Sequence, residues 1–281
     1  MKFEGSFKNK DAQNIIYRAF IPDSPKAVVV LAHGLGEHSM KYGYFGDMLY
    51  SAGIAAFLYD QRGHGRSQGR RVCVGDFGDY VSDLRQMAAI AKVEALCDKA
   101  FIVGLSMGGL LALEYAIRHR DDKDAIRGVV VSAPALKLKS PPSGIEKGVV
   151  GLIALLMPRL TTPNRIPFEW LTHDKDLIKD TKEDKLSQRV ISFGLYAEMT
   201  KAMRFVSENI GKLDVPALFM QGTDDKVVDM AGVREIFDRI PAKDKELALY
   251  EGMYHELLRE TRREEIIGKI ADWVLKRAGE R

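Results

Sequence analysis

The chain has 281 residues, 46% of them hydrophobic, with 42 Lys plus Arg against 39 Asp plus Glu and a formal net charge of +3. That content supports a sizeable core, and α/β domains of this length commonly stay one unit. The near-balance of charge, with no basic stripe, argues against a nucleic-acid partner. Only two cysteines occur, Cys73 and Cys97, and no C-x-x-C, so a disulfide framework or cysteine-based zinc site is not expected. The opening MKFEGSFKNK lacks the apolar core of a secretory signal. The longest apolar run, residues 148–157, is half of the roughly 20 residues a spanning helix needs. A soluble, cytoplasmic protein is expected, with at most a peripheral contact at a membrane.

In chain order, two short strand-like stretches open the sequence at 3–7 and 14–20. Continuous β-branched and apolar runs follow at 26–32, 53–60, 100–105, 127–133, 216–222 and 246–252. Such runs suit strands covered on both faces. Helical patterns lie between them at 45–52, 77–94, 107–118, 231–240 and 262–276. The alternation predicts a mostly parallel sheet with helices on both faces, and right-handed crossovers put the strand C-termini on one edge. The alternation breaks between Pro134 and Lys212, which is Pro-rich, then helical and charged, and carries no buried strand. That is too long for a loop. It is expected to be a helical cap insertion at 134–212, over a core made of 1–133 and 213–281.

The stretch FIVGLSMGGLLALEYA carries G-x-S-x-G centred on Ser106, between a strand and a helix. By itself this motif is only a hypothesis. A nucleophilic serine needs a base, a group to orient it, and oxyanion donors. In a sheet of this kind the acid and then the histidine follow the serine, each past a later strand. Asp224 and Asp225 stand after the strand at 216–222, in QGTDD. His255 stands after the strand at 246–252, and His173 falls inside the insertion. His255 is thus the one histidine in the right place. HELLR nearly spells the zinc motif H-E-x-x-H, but Arg259 holds the second histidine position, so no metal is expected. The oxyanion donors expected are the backbone N–H groups of Leu35, in HGLGEH after the strand at 26–32, and of Met107. His33 is expected to hold its loop by hydrogen bonding and to transfer no proton.

Taken together, HGLGEHSMKY, DQRGHGRSQGRR, GLSMGG, QGTDDKVVD and YHELLRE resemble the α/β-hydrolases of the monoacylglycerol lipase and lysophospholipase family. These segments flank the insertion on both sides. The resemblance implies the α/β-hydrolase fold and a serine hydrolase acting on lipid esters with a small polar head, such as monoacylglycerols or lysolipids. It puts the nucleophile at Ser106, the acid at Asp225 and the base at His255. It also puts Glu37 and Lys41 near the glycerol end of the substrate pocket. Leu105 stands where relatives often carry histidine. The cap matches poorly, and nothing carries over inside it.

The expected reaction is a two-step acyl transfer needing no metal or organic cofactor. Its expected partner is a small lipid ester, with transient membrane contact through the cap. For the apolar stretch GIEKGVVGLIALLMPRL the commoner reading is a helix packed on the body. The other is a wall of an acyl tunnel that touches a membrane. HDKDLIKDTKEDKLSQR reads as a solvated charged face, and the aromatics of 192–199 as pocket wall or core. A general short-chain carboxylesterase or an acyltransferase would use the same triad. An aminopeptidase would need an acidic pocket for an α-amine.

Overall fold

The computed structural model describes residues 1–98, 100–122, 126–140 and 144–279. The main sheet comprises β1 (Lys2–Lys8), β2 (Asn14–Phe20), β3 (Ala27–Ala32), β4 (Ile54–Tyr59), β5 (Ala100–Leu105), β6 (Ile126–Ser132), β9 (Ala217–Gly222) and β10 (Lys245–Tyr250). Their order in space is β1-β2-β4-β3-β5-β6-β9-β10. β1 and β2 are antiparallel, β2 meets β4 antiparallel, and all other pairs are parallel. Two further strands, β7 (Thr161–Pro163) and β8 (Val190–Ser192), pair with each other outside this sheet.

The continuous apolar runs have a direct structural cause. Successive side chains of a strand face opposite ways, and here both faces are covered. Val28, Val30, Phe57, Ile102 and Val129 enter one hydrophobic cluster. Their neighbours Val29, Leu31, Leu58, Phe101 and Val130 enter the other. The first cluster is closed by α2 (Gly78–Glu94), α3 (Met107–Arg118) and α7 (Met230–Asp238). The second is closed by α1 (Gly43–Ser51) and α8 (Arg263–Ala278). The strand at 246–252 was expected to be covered like the rest. It is not: in β10 only Tyr250 is buried, because this strand is the sheet's edge.

Between β6 and β9 the chain forms α4 (Gly144–Leu156), α5 (Lys175–Glu183) and α6 (Phe193–Asn209), with β7 and β8 between them. The small β7–β8 pair was not expected; three-residue strands are too short to give a period-2 signal. Residues 141–143 of the Pro-rich stretch lie outside the described residues. α6 buries Leu195, Met199, Ala202 and Val206 in the same cluster as the sheet, against α3. α4 packs on α6, and it is not the buried helix of the commoner reading: Leu152 is 58% exposed, Leu155 77% and Leu156 69%, while Val150 and Ile153 are half-buried.

Candidate active site

Four loops meet at the C-terminal edge of the parallel strands. The first turns from β5 into α3 and carries Ser106 at φ 50°, ψ −113°, a region that non-glycine residues rarely occupy. Its surroundings hold it there. The Ser106 N–H donates to the Ser132 carbonyl at 3.0 Å, and Leu110 and Ala135 N–H groups donate to the Ser106 carbonyl at 3.1 and 3.0 Å. Gly108 is fixed by close packing: a Cβ there would stand 2.0 Å from the Ala32 carbonyl oxygen at the end of β3. The start of α3 therefore abuts the loop that follows β3. On that loop, a Cβ on Gly34 would lie 3.4 Å from Ser106 Cβ.

The loops after β9 and β10 bring Asp225 to His255. His255 Nδ1 donates to Asp225 Oδ2 at 2.8 Å. Asp225 Oδ2 also accepts from Gln221 Nε2 at 2.8 Å, and Oδ1 accepts from the Val227 and Val228 N–H groups at 2.7 and 3.0 Å. Burial opposes ionisation of Asp225. The His255 charge, its hydrogen bond and the two backbone donors outweigh that and hold the carboxyl below its ordinary range. Burial likewise opposes a charge on His255, but Asp225, Glu256 and Glu37 outweigh it and raise the imidazole above its ordinary value. Asp224 is exposed and takes no part in this contact.

Ser106 and His255 line one cavity of about 70 Å³, together with Leu35, Glu37, Lys41 and Leu105. Among the described residues, neither the Leu35 N–H nor the Met107 N–H has a hydrogen-bond acceptor. Met107 is the first residue of α3, where the helix dipole favours negative charge. His33 is fully buried; its Nδ1 donates to the Gly34 carbonyl at 2.8 Å and its Nε2 accepts from the Gln61 N–H at 3.1 Å. Burial keeps its imidazole below the ordinary histidine range, so it serves as a neutral strut.

The polar end of the cavity holds a group that the sequence reading found only in part. Glu37 Oε2 accepts from the Gly34 N–H at 2.8 Å and the Tyr42 hydroxyl at 2.7 Å. Burial disfavours its charge, but Lys41, Tyr42 and Arg259 hold it well below the usual carboxylate range. Glu256, next to His255, also lines the cavity and accepts from Arg259 Nη1 at 2.7 Å. Burial and the neighbouring Glu37 push its carboxyl up. Its position after His255 was the only sequence signal for it. From the residues between β6 and β9, Asn164, Phe168, Leu171, Thr181 and Gln188 also line it; Thr181 and Gln188 lie in the stretch 173–189 expected to be a solvated charged face, which is corrected at those positions because they turn toward the cavity. None of residues 192–199 lines this cavity; Glu198 instead accepts from the Phe77 N–H.

This fold and this arrangement define an α/β-hydrolase. Residues 23–262 match the model of the family described as serine aminopeptidase, S33. Human monoglyceride lipase is 31% identical over 90% of this chain and 83% of its own length. An abhydrolase domain-containing protein of Dictyostelium discoideum is 32% identical over 95% of this chain, which spans only 28% of that relative. Among solved structures, the monoacylglycerol lipase of Paleococcus ferrophilus superposes with a TM-score of 0.83 at 28% identity, covering 99% of both chains. The chain belongs to this serine hydrolase family, and it is a carboxylic ester hydrolase similar to the monoacylglycerol lipases.

Proposed function

We propose that this enzyme cleaves monoacylglycerols, or closely related lysolipids, to a fatty acid and the alcohol through a serine acyl-enzyme. Ser106 attacks the ester carbonyl while His255 Nε2 takes its proton. Asp225 holds the imidazole with Nδ1 protonated and stabilises the cation that forms. The Leu35 and Met107 N–H groups receive the oxyanion. His255 then returns its proton to the leaving alkoxide, and water repeats the cycle on the acyl-enzyme. The observation that carries this reading is a single cavity lined by the strained Ser106, by a His255 already bonded to Asp225, and by Leu35, whose N–H, like that of Met107 next to Ser106, has no acceptor among the described residues.

The head-group assignment rests on charge. Glu37 and Glu256 face Lys41 and Arg259, so the polar end is a balanced group with hydrogen-bonding capacity. That suits a neutral glycerol better than an α-amine, which would need unopposed carboxylates. The relatives named as monoglyceride lipases support the same choice. The residues between β6 and β9 act in this reading as a cap, and the open apolar face of α4 meets the membrane in which the substrate sits.

The test is a substrate panel with Ser106→Ala as control: monoacylglycerols of rising chain length, a lysophosphatidylcholine, a short soluble ester and an aminoacyl amide. Turnover of medium- or long-chain monoacylglycerols, lost in the variant together with fluorophosphonate labelling, is the expected result. Turnover confined to the short ester or to the amide overturns the lipid assignment.

A further inference from the structure

The loop after β3 is gripped from the insertion. His38, buried two residues beyond Gly36, donates from Nε2 to Asp184 Oδ2 at 2.5 Å. Asp184 follows α5, and the same carboxylate folds the turn behind it: Oδ1 accepts from the Leu186 N–H at 2.9 Å and Oδ2 from Ser187 Oγ at 2.8 Å. That turn presents the Gln188 N–H, which donates to the Gly36 carbonyl at 2.8 Å. The approach is so close that only glycine fits. Gly36 has φ +74°, and a Cβ on it would stand 2.2 Å from the Gln188 carbonyl oxygen.

These contacts feed a relay of peptide units. No peptide bond among the described residues is cis, and in a trans unit the C=O and N–H point opposite ways. The unit whose carbonyl accepts from Gln188 carries the Glu37 N–H, which donates to the Gly34 carbonyl. The unit with the Gly34 carbonyl carries the Leu35 N–H, which has no acceptor among the described residues. The middle link is long, 3.4 Å, and the Gly34 carbonyl also accepts from His33 Nδ1 at 2.8 Å, so His33 and the Asp184 side share the setting of this turn. Linked hydrogen bonds also polarise one another.

We propose that Asp184 is a positioning residue for the oxyanion hole. Through His38 and the Gln188 N–H it sets the direction of the Leu35 N–H, so the insertion takes part in transition-state stabilisation as well as in covering the site. This rests on the reading of Leu35 as an oxyanion donor. Removing a whole oxyanion donor costs about 100- to 1,000-fold in turnover, and a misdirected donor should cost less.

The test uses the full chain, a short soluble ester, and a boronic acid that forms a tetrahedral adduct on serine. In Asp184→Ala, kcat should fall about 10-fold or more with KM within about twofold, and boronate affinity should fall by the same factor as kcat. Asp184→Asn, which keeps one acceptor oxygen and replaces the other with a donor, should recover only part of the loss. Gln188→Pro removes this N–H together with the side chain, and Gln188→Ala, which removes the side chain but keeps the N–H, is its control; a loss in the first and not in the second decides the matter if the Asp184→Ala variant does not fold. A loss confined to KM, an unchanged kcat, or a fall in kcat without weaker boronate binding overturns the proposal. Hydrolysis that survives Ser106→Ala would instead overturn the underlying reading of the site.

Discussion

Ser106 sits in a backbone conformation that costs on the order of 1–3 kcal/mol, and its neighbours hold it there through hydrogen bonds and close contact. Gly108 is the tightest of these contacts. Gly108→Ala should lose turnover and lower the thermal midpoint, because its Cβ meets backbone that has no room to yield; wild-type activity in that variant would show that the turn is softer. His255 supplies a second prediction. In the proposed mechanism it must be neutral to accept the serine proton, and Asp225 raises its pKa above the ordinary value of 6.5 despite burial. The acid limb of kcat/KM should therefore have its midpoint above 6.5. Asp225→Asn should shift that limb to lower pH while the plateau falls by about 10,000-fold; a pH–rate profile of both proteins checks this. The sign for stability is opposite: protonated His255 favours the fold at low pH, and that contribution fades as pH rises through its folded pKa.

Between β4 and α2 the chain is anchored by a buried bidentate pair. Arg62 Nε and Nη2 meet Asp83 Oδ2 and Oδ1 at 2.6 and 2.7 Å. Asp83→Ala leaves a buried guanidinium with only Asp11 and Asp79 nearby. It should cost about 1.5–3 kcal/mol by denaturant titration, since those two carboxylates still compensate the charge. Helix α4 makes a contrasting prediction. Leu155→Asp with Leu156→Asp should reduce binding to phospholipid vesicles while leaving turnover of a soluble ester intact, because those side chains are exposed and do not line the cavity; a loss of soluble-ester turnover would give α4 a role inside the site. The elements differ in how far the sequence reveals them. β3, β4, β5 and β9 are legible because burial on both faces leaves continuous apolar runs. α4 is not, because an apolar helix looks the same whether it faces a core or a lipid surface.

Across the whole molecule, legibility follows sequence distance. Ser106, Asp225 and His255 can be read because each must follow a strand end, and strand ends are marked locally. Glu256 and Asp184 cannot, since their surroundings come from other parts of the chain: Glu37 and Lys41 for one, His38 for the other. Nothing in HDKDLIKDTKEDKLSQR distinguishes the carboxylate that grips His38 from the other acidic residues of this charged stretch.

The spatial order of the sheet has a temporal consequence. β5 and β6 lie side by side and are made early, yet β9 and β10, which carry the loops of Asp225 and His255, complete the same edge only after the whole insertion has been synthesised. A growing chain folds from its N-terminal side. Synthesis order therefore leaves Ser106 without the Asp225–His255 pair from the time α3 is made until residue 255 has emerged, so on the proposed mechanism the site stays inert over that interval.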